Sequence, residues 1–167
     1  MSKPTASDPA QSIHVLRLRL GEQAAMSEAI RRLKPEAGGL AIEVEACRSF
    51  LSSERNVCVL ATKGSDPVGY AVAYVLSRID RSAPMILLYE VEVSPAYRRR
   101  GVGRALVNAV RDIARQAGAC KVWTLTDQGN AAALRLYASC GGLEPGENLL
   151  VVWPEDRLAP SHWRPDP

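Results

Sequence analysis

The chain has 167 residues, 47% of them hydrophobic, which is enough for the core of one domain. Its net charge of +3 leaves little basic excess once the arginines between 98 and 104 are set aside, so nucleic acid is not an expected partner. No run approaches the roughly 18 apolar residues of a membrane span, and the start, MSKPTASDPAQS, lacks the apolar core of a signal peptide, which points to a cytoplasmic protein with no membrane partner.

Residues 1–11 carry no periodicity and read as a disordered leader, with the folded domain expected over 12–153 and a Pro-rich tail over 154–167. Residues 13–20 form a first strand in which Ile13, Val15 and Leu16 lead into Leu18 and Leu20, with Arg17 and Arg19 facing the other way onto solvent. Residues 22–33 place Ala25, Met26, Ala29, Ile30 and Leu33 at helical spacing, Pro35 and Gly38-Gly39 end that helix, and a second helical pattern covers 40–53. A β-branched run at 56–62, the turn Gly64-Ser65-Asp66-Pro67 and a second run at 68–76 read as a hairpin, followed by a loop over 77–84.

Residues 86–93 are the central strand, bounded by Pro84 and by Ser94-Pro95. Beyond them Val102, Leu106, Ala109, Val110, Ile113 and Ala117 follow an amphipathic helical pattern that Gly118 caps. A strand over 120–126, a helix over 130–141 and a last strand over 149–153 complete an α/β domain. Its sheet is mixed: antiparallel through the hairpin and the central strand, parallel across the helical crossover, with helices on both faces.

Cys47, Cys58, Cys120 and Cys140 show no C-x-x-C spacing, and the two histidines stand at opposite ends of the chain, so no metal site is expected and the thiols read as buried and reduced. His162, alone in a Pro-rich tail, reads as solvated.

The loop between the central strand and its helix is Arg98-Arg99-Arg100-Gly101-Val102-Gly103, with Arg104 one residue on. The unsatisfied N–H groups and dipole of a helix N-terminus make an anion site; the glycines let the backbone come close, and the arginines add charge. Two adjacent phosphates suit it, although neither a P-loop nor a G-x-G-x-x-G fingerprint is present.

That loop matches [R/Q]-x-x-G-x-[G/A], and Asn130-Ala131-Ala132-Ala133-Leu134-Arg135-Leu136-Tyr137 continuing to Gly141 matches N-x-x-A-x-x-L-Y-x-x-x-G. Two blocks in this order resemble the GNAT superfamily of acetyl-CoA-dependent N-acyltransferases. The resemblance implies a central sheet splayed between the fourth and fifth strands, with acetyl-CoA as cofactor. Its pyrophosphate would be wrapped by Arg98, Arg99, Arg100, Gly101, Val102, Gly103 and Arg104, and its arm would pair with the backbone at Val91 and Val93, where a strand bulge is expected. Asn130 and Ala133 would contact it from the last helix, Asn130 also acting as N-cap. The family's Gly-aromatic pair is replaced by Gly141-Gly142, which changes the packing expected there.

Acetyl transfer to an amine needs a proton acceptor for the amine and a proton donor for the leaving thiolate. Glu90 and Glu92, two apart on one strand, point to the same face while Val91 and Val93 point to the other. The resemblance, in which many members carry an acidic residue at this position, makes Glu90 the first choice as base and Glu92 the second; a structural pairing with an arginine is the alternative for either. The resemblance assigns Tyr137 as the acid, whose alternative is a core tyrosine in an apolar helical stripe.

Residues 68–107 further resemble aminoglycoside 3-N-acetyltransferases, in Gly69-x-x-x-Ala73-Tyr74-Val75-Leu76 and in Tyr89-Glu90-x-x-Val93, with Glu90 where that subfamily carries Asp. This implies acetylation of an aminoglycoside antibiotic, at the 3-amine, conferring resistance. Glu36, Glu43, Glu144, Glu147, Glu155 and Asp156 are the carboxylates available to rim a site for such a polycation. The alternatives are a protein N-terminus, a lysine or a polyamine as acceptor, or a non-catalytic acetyl-CoA-binding module. Exposed sheet edges make a homodimer the expected assembly.

Overall fold

The computed structural model describes residues 12–34, 43–127 and 129–142. One five-stranded sheet runs in chain order: β1 (Ile13–Leu18), β2 (Asn56–Lys63), β3 (Asp66–Leu76), β4 (Met85–Val93) and β5 (Lys121–Thr124). The first four strands are antiparallel, and β5 lies parallel to β4. Helices α1 (Gln23–Leu33) and α2 (Val44–Leu51) link β1 to β2, α3 (Val102–Gln116) is the crossover that a parallel join requires, and α4 (Ala131–Ser139) follows β5. This is the mixed, two-faced architecture that the sequence pattern implies.

Each face of the sheet has its own core. Val57 and Val59 of β2 join Ile86, Leu88, Leu106 and Val110 under α3, while Cys58 and Leu60 join Met26, Ala29, Leu51 and Tyr70 under α1 and α2. A strand covered on both faces reads as a continuous apolar run, which is why β2 shows no polar alternation. In α3 the residues that meet the sheet, Val102, Leu106, Val107, Val110 and Ala114, recur at helical spacing and are all buried.

Several elements differ from their expected form. Lys63 pairs with Asp66, so only Gly64 and Ser65 turn the hairpin, and Pro67 lies inside β3 opposite Thr62. The register slips there, between Ala61 and Thr62, and a bulge is where a residue without an N–H is tolerated in a ladder. Helix α2 begins at Val44, after Glu43 in an extended conformation, and β5 keeps four residues of the expected 120–126.

Arg17 does not face solvent. It shares the parity of Ile13 and Val15, its side chain is 20% exposed, and its guanidinium donates to the Glu54 carbonyl at 3.0 Å. Burial and the neighbouring Arg19 hold its pKa below the usual arginine value. Cys120 departs from the other three thiols in being exposed; it precedes β5 and sits 3.7 Å from the Arg78 guanidinium. The expected leader, residues 35–42 with the expected loop and the first residues expected in the second helix, the last strand at 149–153 and the tail, with Glu36, Glu144, Glu147, Glu155, Asp156 and His162, lie outside the described residues.

Candidate active site

The geometry begins with one extra residue in β4. Val72 pairs with Glu90 but Ala73 pairs with Leu88, so Tyr89 has no partner of its own and forms a bulge. The expected bulge near Val93 is therefore displaced to Tyr89. Ile86 and Leu88 face α3, and in a regular strand Glu90 would follow them into that apolar core. The inserted Tyr89 resets the parity and sends Glu90 to the opposite face, beside Tyr70.

There Glu90 Oε1 accepts from Lys34 Nζ at 2.8 Å and from the Tyr70 hydroxyl at 2.9 Å. The carboxylate draws the Lys34 pKa up, by the hydrogen bond first. Burial raises that of Tyr70 far above the ordinary phenol value, and Glu90 adds to it, so the phenol is a fixed donor at any neutral pH. Glu92, on the same face as expected, takes Arg98 at 3.4 Å and the Val93 N–H at 3.2 Å. Both carboxylates thus have a cationic partner, Glu92 the arginine that its structural alternative named and Glu90 a lysine. Beside them Phe50, Tyr74 and Tyr89 form a run of edge-to-face rings, with centroids 5.8 and 5.6 Å apart.

On the other side of β4 the sheet opens. Parallel pairing with β5 runs from Met85–Lys121 to Leu88–Thr124 and stops, while β4 continues to Val93. The residues Glu90 to Val93 keep β3 on one edge and leave the other edge without a strand among those described. Leu88 and Thr124, the last pair, line a cavity of ≈ 400 Å³ together with Val107, Trp123, Tyr137 and Cys140. Tyr137 of α4 is half-buried in that lining, so its two readings, core tyrosine and site tyrosine, meet at one place.

The loop after β4 delivers the expected helix N-terminus. Ala105 N–H is the first of α3 to reach a carbonyl in its own helix, that of Gly101, so the N–H groups of Val102, Gly103 and Arg104 face outward from the first turn. Gly101 has φ 85°, a left-handed conformation that costs a residue with a Cβ about 1–2 kcal/mol. Gly103 serves a different end from the expected one: a Cβ there would meet Leu136 at 3.2 Å, so its smallness lets α4 pack on α3. Val102 is buried in the core and can offer a ligand only its N–H.

The arginines divide. Arg98 folds back, its Nε donating to the Val93 carbonyl at 3.1 Å, and it ties the loop to the strand end rather than adding to the charge of the loop. Arg100 lies 5.6 Å over the Tyr97 ring, Arg99 has the unusual φ of 61°, and Arg99, Arg100 and Arg104 are exposed around the helix start. Asn130 caps α4 as expected, its Oδ1 accepting from Ala133 N at 3.1 Å. At the other end of α4, Arg111 donates to the Cys140 carbonyl.

An extended strand edge beside a cavity, leading to a helix start with free N–H groups and three exposed arginines, fits a ligand with an amide-bearing arm and a diphosphate, as acetyl-CoA has. The sequence did not point to Lys34 or Tyr70 at this site, and named Tyr89 only within the Tyr89-Glu90-x-x-Val93 motif. Tyr70 and Tyr74 share a face of β3 by their spacing of four, but nothing local reports that Glu90 arrives on that face too.

Residues 24–142 match the profile of the Acetyltransferase (GNAT) family. Mycothiol acetyltransferase of Clavibacter michiganensis subsp. michiganensis is 39% identical over 117 residues, which are 68% of this chain and 34% of that protein. N-alpha-acetyltransferase RimI of Mycobacterium tuberculosis is 40% identical over 92 residues, 54% of each. The chain thus spans about a third to a half of the length of these curated relatives. Among solved structures, aminoglycoside N-acetyltransferase AAC(6')-Iy in complex with CoA superposes with a TM-score of 0.70 at 17% identity, covering 85% of this chain and 95% of that one, a likeness of fold.

Proposed function

The chain belongs to the acetyltransferase (GNAT) family, and from that premise we propose that it transfers an acetyl group from acetyl-CoA to a primary amine. The observation that carries this reading is the early end of the β4–β5 pairing at Leu88–Thr124, beside a cavity that Tyr137 lines. Acetyl-CoA supplies the activated thioester.

The chain's own groups account for the rest. The free edge at Val91 and Val93 pairs with the amides of the arm, and the N–H groups of Val102, Gly103 and Arg104, with Arg99, Arg100 and Arg104, hold the diphosphate. Arg98 positions the loop. Asn130 and Ala133 hold the start of α4, which aims Tyr137 into the cavity. Glu90 takes a proton from the acceptor amine, Tyr137 gives one to the departing sulfur, and Glu92 orients Arg98.

For the acceptor, we favour the α-amine of a peptide or protein. Both carboxylates on the acceptor face are already neutralised, by Lys34 and Arg98, and the wall beside them is aromatic. The identity to RimI supports the same direction. The second reading, the 3-amine of an aminoglycoside, rests on the resemblance within 68–107.

The test is thiol release from acetyl-CoA by the purified protein with peptides bearing free N-termini, gentamicin-type aminoglycosides and polyamines. Turnover on peptides supports the favoured acceptor, and turnover on aminoglycosides alone replaces it with the second reading. Acetyl-CoA binding without turnover on any amine would overturn the catalytic proposal and leave a binding module.

A further inference from the structure

We propose that Lys34 is itself an acceptor: the protein acetylates its own ε-amine in the same site. The inference rests on the proposed acetyl transfer. Lys34 Nζ is a primary amine held 2.8 Å from Glu90 Oε1, the distance at which an acceptor amine must meet its base. Glu90 stands where β4 leaves β5, two residues past the last paired position, Leu88. The ammonium therefore occupies, on this carboxylate, the place that an incoming amine needs.

The geometry around the pair supports an amine site rather than a surface ion pair. Tyr70, 1% exposed, fixes Oε1 from beneath, and the side chain of Glu90 is 24% exposed against 42% for Lys34. Lys34 is the residue after the last turn of α1, with its backbone N–H bonded to the Ile30 carbonyl, so its main chain is anchored while its side chain spans to β4. The groups charged or titratable on this face are Lys34, Glu90, Glu92 with Arg98, Tyr70, Tyr74, Tyr89 and the buried thiols Cys47 and Cys58. Among them Lys34 is the one amine hydrogen-bonded to Glu90 and exposed enough to accept a group.

The step balances without another reactant. The Lys34 ammonium gives one proton to Glu90, its nitrogen forms a bond to the acetyl carbon, and the carbon–sulfur bond breaks with its electron pair on sulfur. The second proton that the nitrogen loses ends on that sulfur through Tyr137. The products are acetyl-Lys34, free thiol and a protonated Glu90 that solvent discharges. An acetamide has no positive charge, so the modification dissolves the ion pair and fills the amine place with a neutral amide and its methyl group; the modified protein should then lose turnover on external amines.

The other lysines, Lys3, Lys63 and Lys121, make the test direct. The full chain is incubated with acetyl-CoA alone, and the acetylated positions are mapped by peptide mass spectrometry over time and protein concentration. The expected result is one acetyl group at Lys34, formed at a rate independent of protein concentration and slowed on the order of 100-fold in Glu90→Gln. Lys34→Arg, which keeps a cation on Glu90, should take up no acetyl group at comparable rate elsewhere.

Acetylation spread equally over Lys34, Lys63 and Lys121, or unchanged in a Glu90→Gln protein that melts like the parent, is solution chemistry and overturns the proposal. Unmodified Lys34 in a preparation that turns over an added amine overturns it too, and leaves the proposed function intact. No adduct and no turnover on any amine, with acetyl-CoA bound, removes both.

Discussion

The two faces of the sheet are built on different principles. Under α3 the packing is mostly apolar, and what that face offers a ligand is a strand edge, a helix start and a cavity lined by Tyr137. Under α1 and α2 the core is interrupted by Glu90, Tyr70 and Lys34, side chains gathered from three elements distant in sequence. In the proposed reaction the first face holds the acyl carrier, and the second chooses and deprotonates the amine. The hinge between them is the unpaired Tyr89, which decides on which face the carboxylate emerges.

The largest expected effect breaks the second face and spares the first. Glu90→Gln should lower turnover on the best acceptor by about 10²–10⁴-fold, with acetyl-CoA affinity by calorimetry unchanged. A parallel loss of acetyl-CoA binding would show that the two faces are not separable.

The reverse experiment loosens the α3 face. Leu106, 0% exposed, should cost about 2–5 kcal/mol of stability in urea unfolding when cut to Ala. Gly69→Ala adds a methyl on the same face, where a Cβ would stand 2.9 Å from the Glu92 carbonyl and 3.1 Å from Val102 and Leu106. It should cost about 1–3 kcal/mol by overpacking. A smaller loss from Leu106→Ala than from Leu16→Ala, at a position 40% exposed, would contradict the burial assigned here.

Legibility followed the same division. The strand, loop and helix of residues 86–117 are contiguous, so period, punctuation and the two glycines located the helix start and most of its residues without tertiary information. Even there the roles shifted: Gly103 makes room for Leu136, and Arg98 returns to Val93, because both contacts come from other elements. On the other face the identity of Glu90 was readable but its surroundings were not. A bulge leaves no periodic trace, one inserted residue inverts the parity of all that follow, and Lys34 reaches β4 across 56 positions of sequence. Arg17 fails for the same reason, since its partner Glu54 lies 37 positions away.

Alkaline unfolding tests the polar cluster as a unit. Tyr70 has a raised pKa when folded, so folding keeps it neutral while the unfolded chain ionises near the ordinary value of 10.0. Its stabilising contribution is complete below that pH and is lost as pH rises above it, at up to about 1.4 kcal/mol per pH unit for one proton. Lys34, also raised, acts with the same sign from its ordinary 10.5 upward. Tyr70→Phe should therefore flatten the fall in stability between pH 10 and 11 relative to the parent, read as urea midpoints; an unchanged slope would show that the phenol ionises as easily folded as unfolded.

The smallest effect separates two jobs at one residue. Asn130 Oδ1 accepts the Ala133 N–H at 3.1 Å, and losing that cap in Asn130→Ala should cost about 1 kcal/mol. Asn130→Asp keeps an acceptor oxygen at the start of α4 and brings a negative charge to the positive end of its dipole, so stability should hold. What Asp removes is the amide NH2, the only donor that this side chain can offer to a bound acyl carrier. If Asn130 contacts acetyl-CoA, the Asp variant will melt like the parent and bind acetyl-CoA more weakly. If it only caps α4, both stability and affinity will stay at parental values in Asp, and the donor face will be shown to act through backbone and arginine alone.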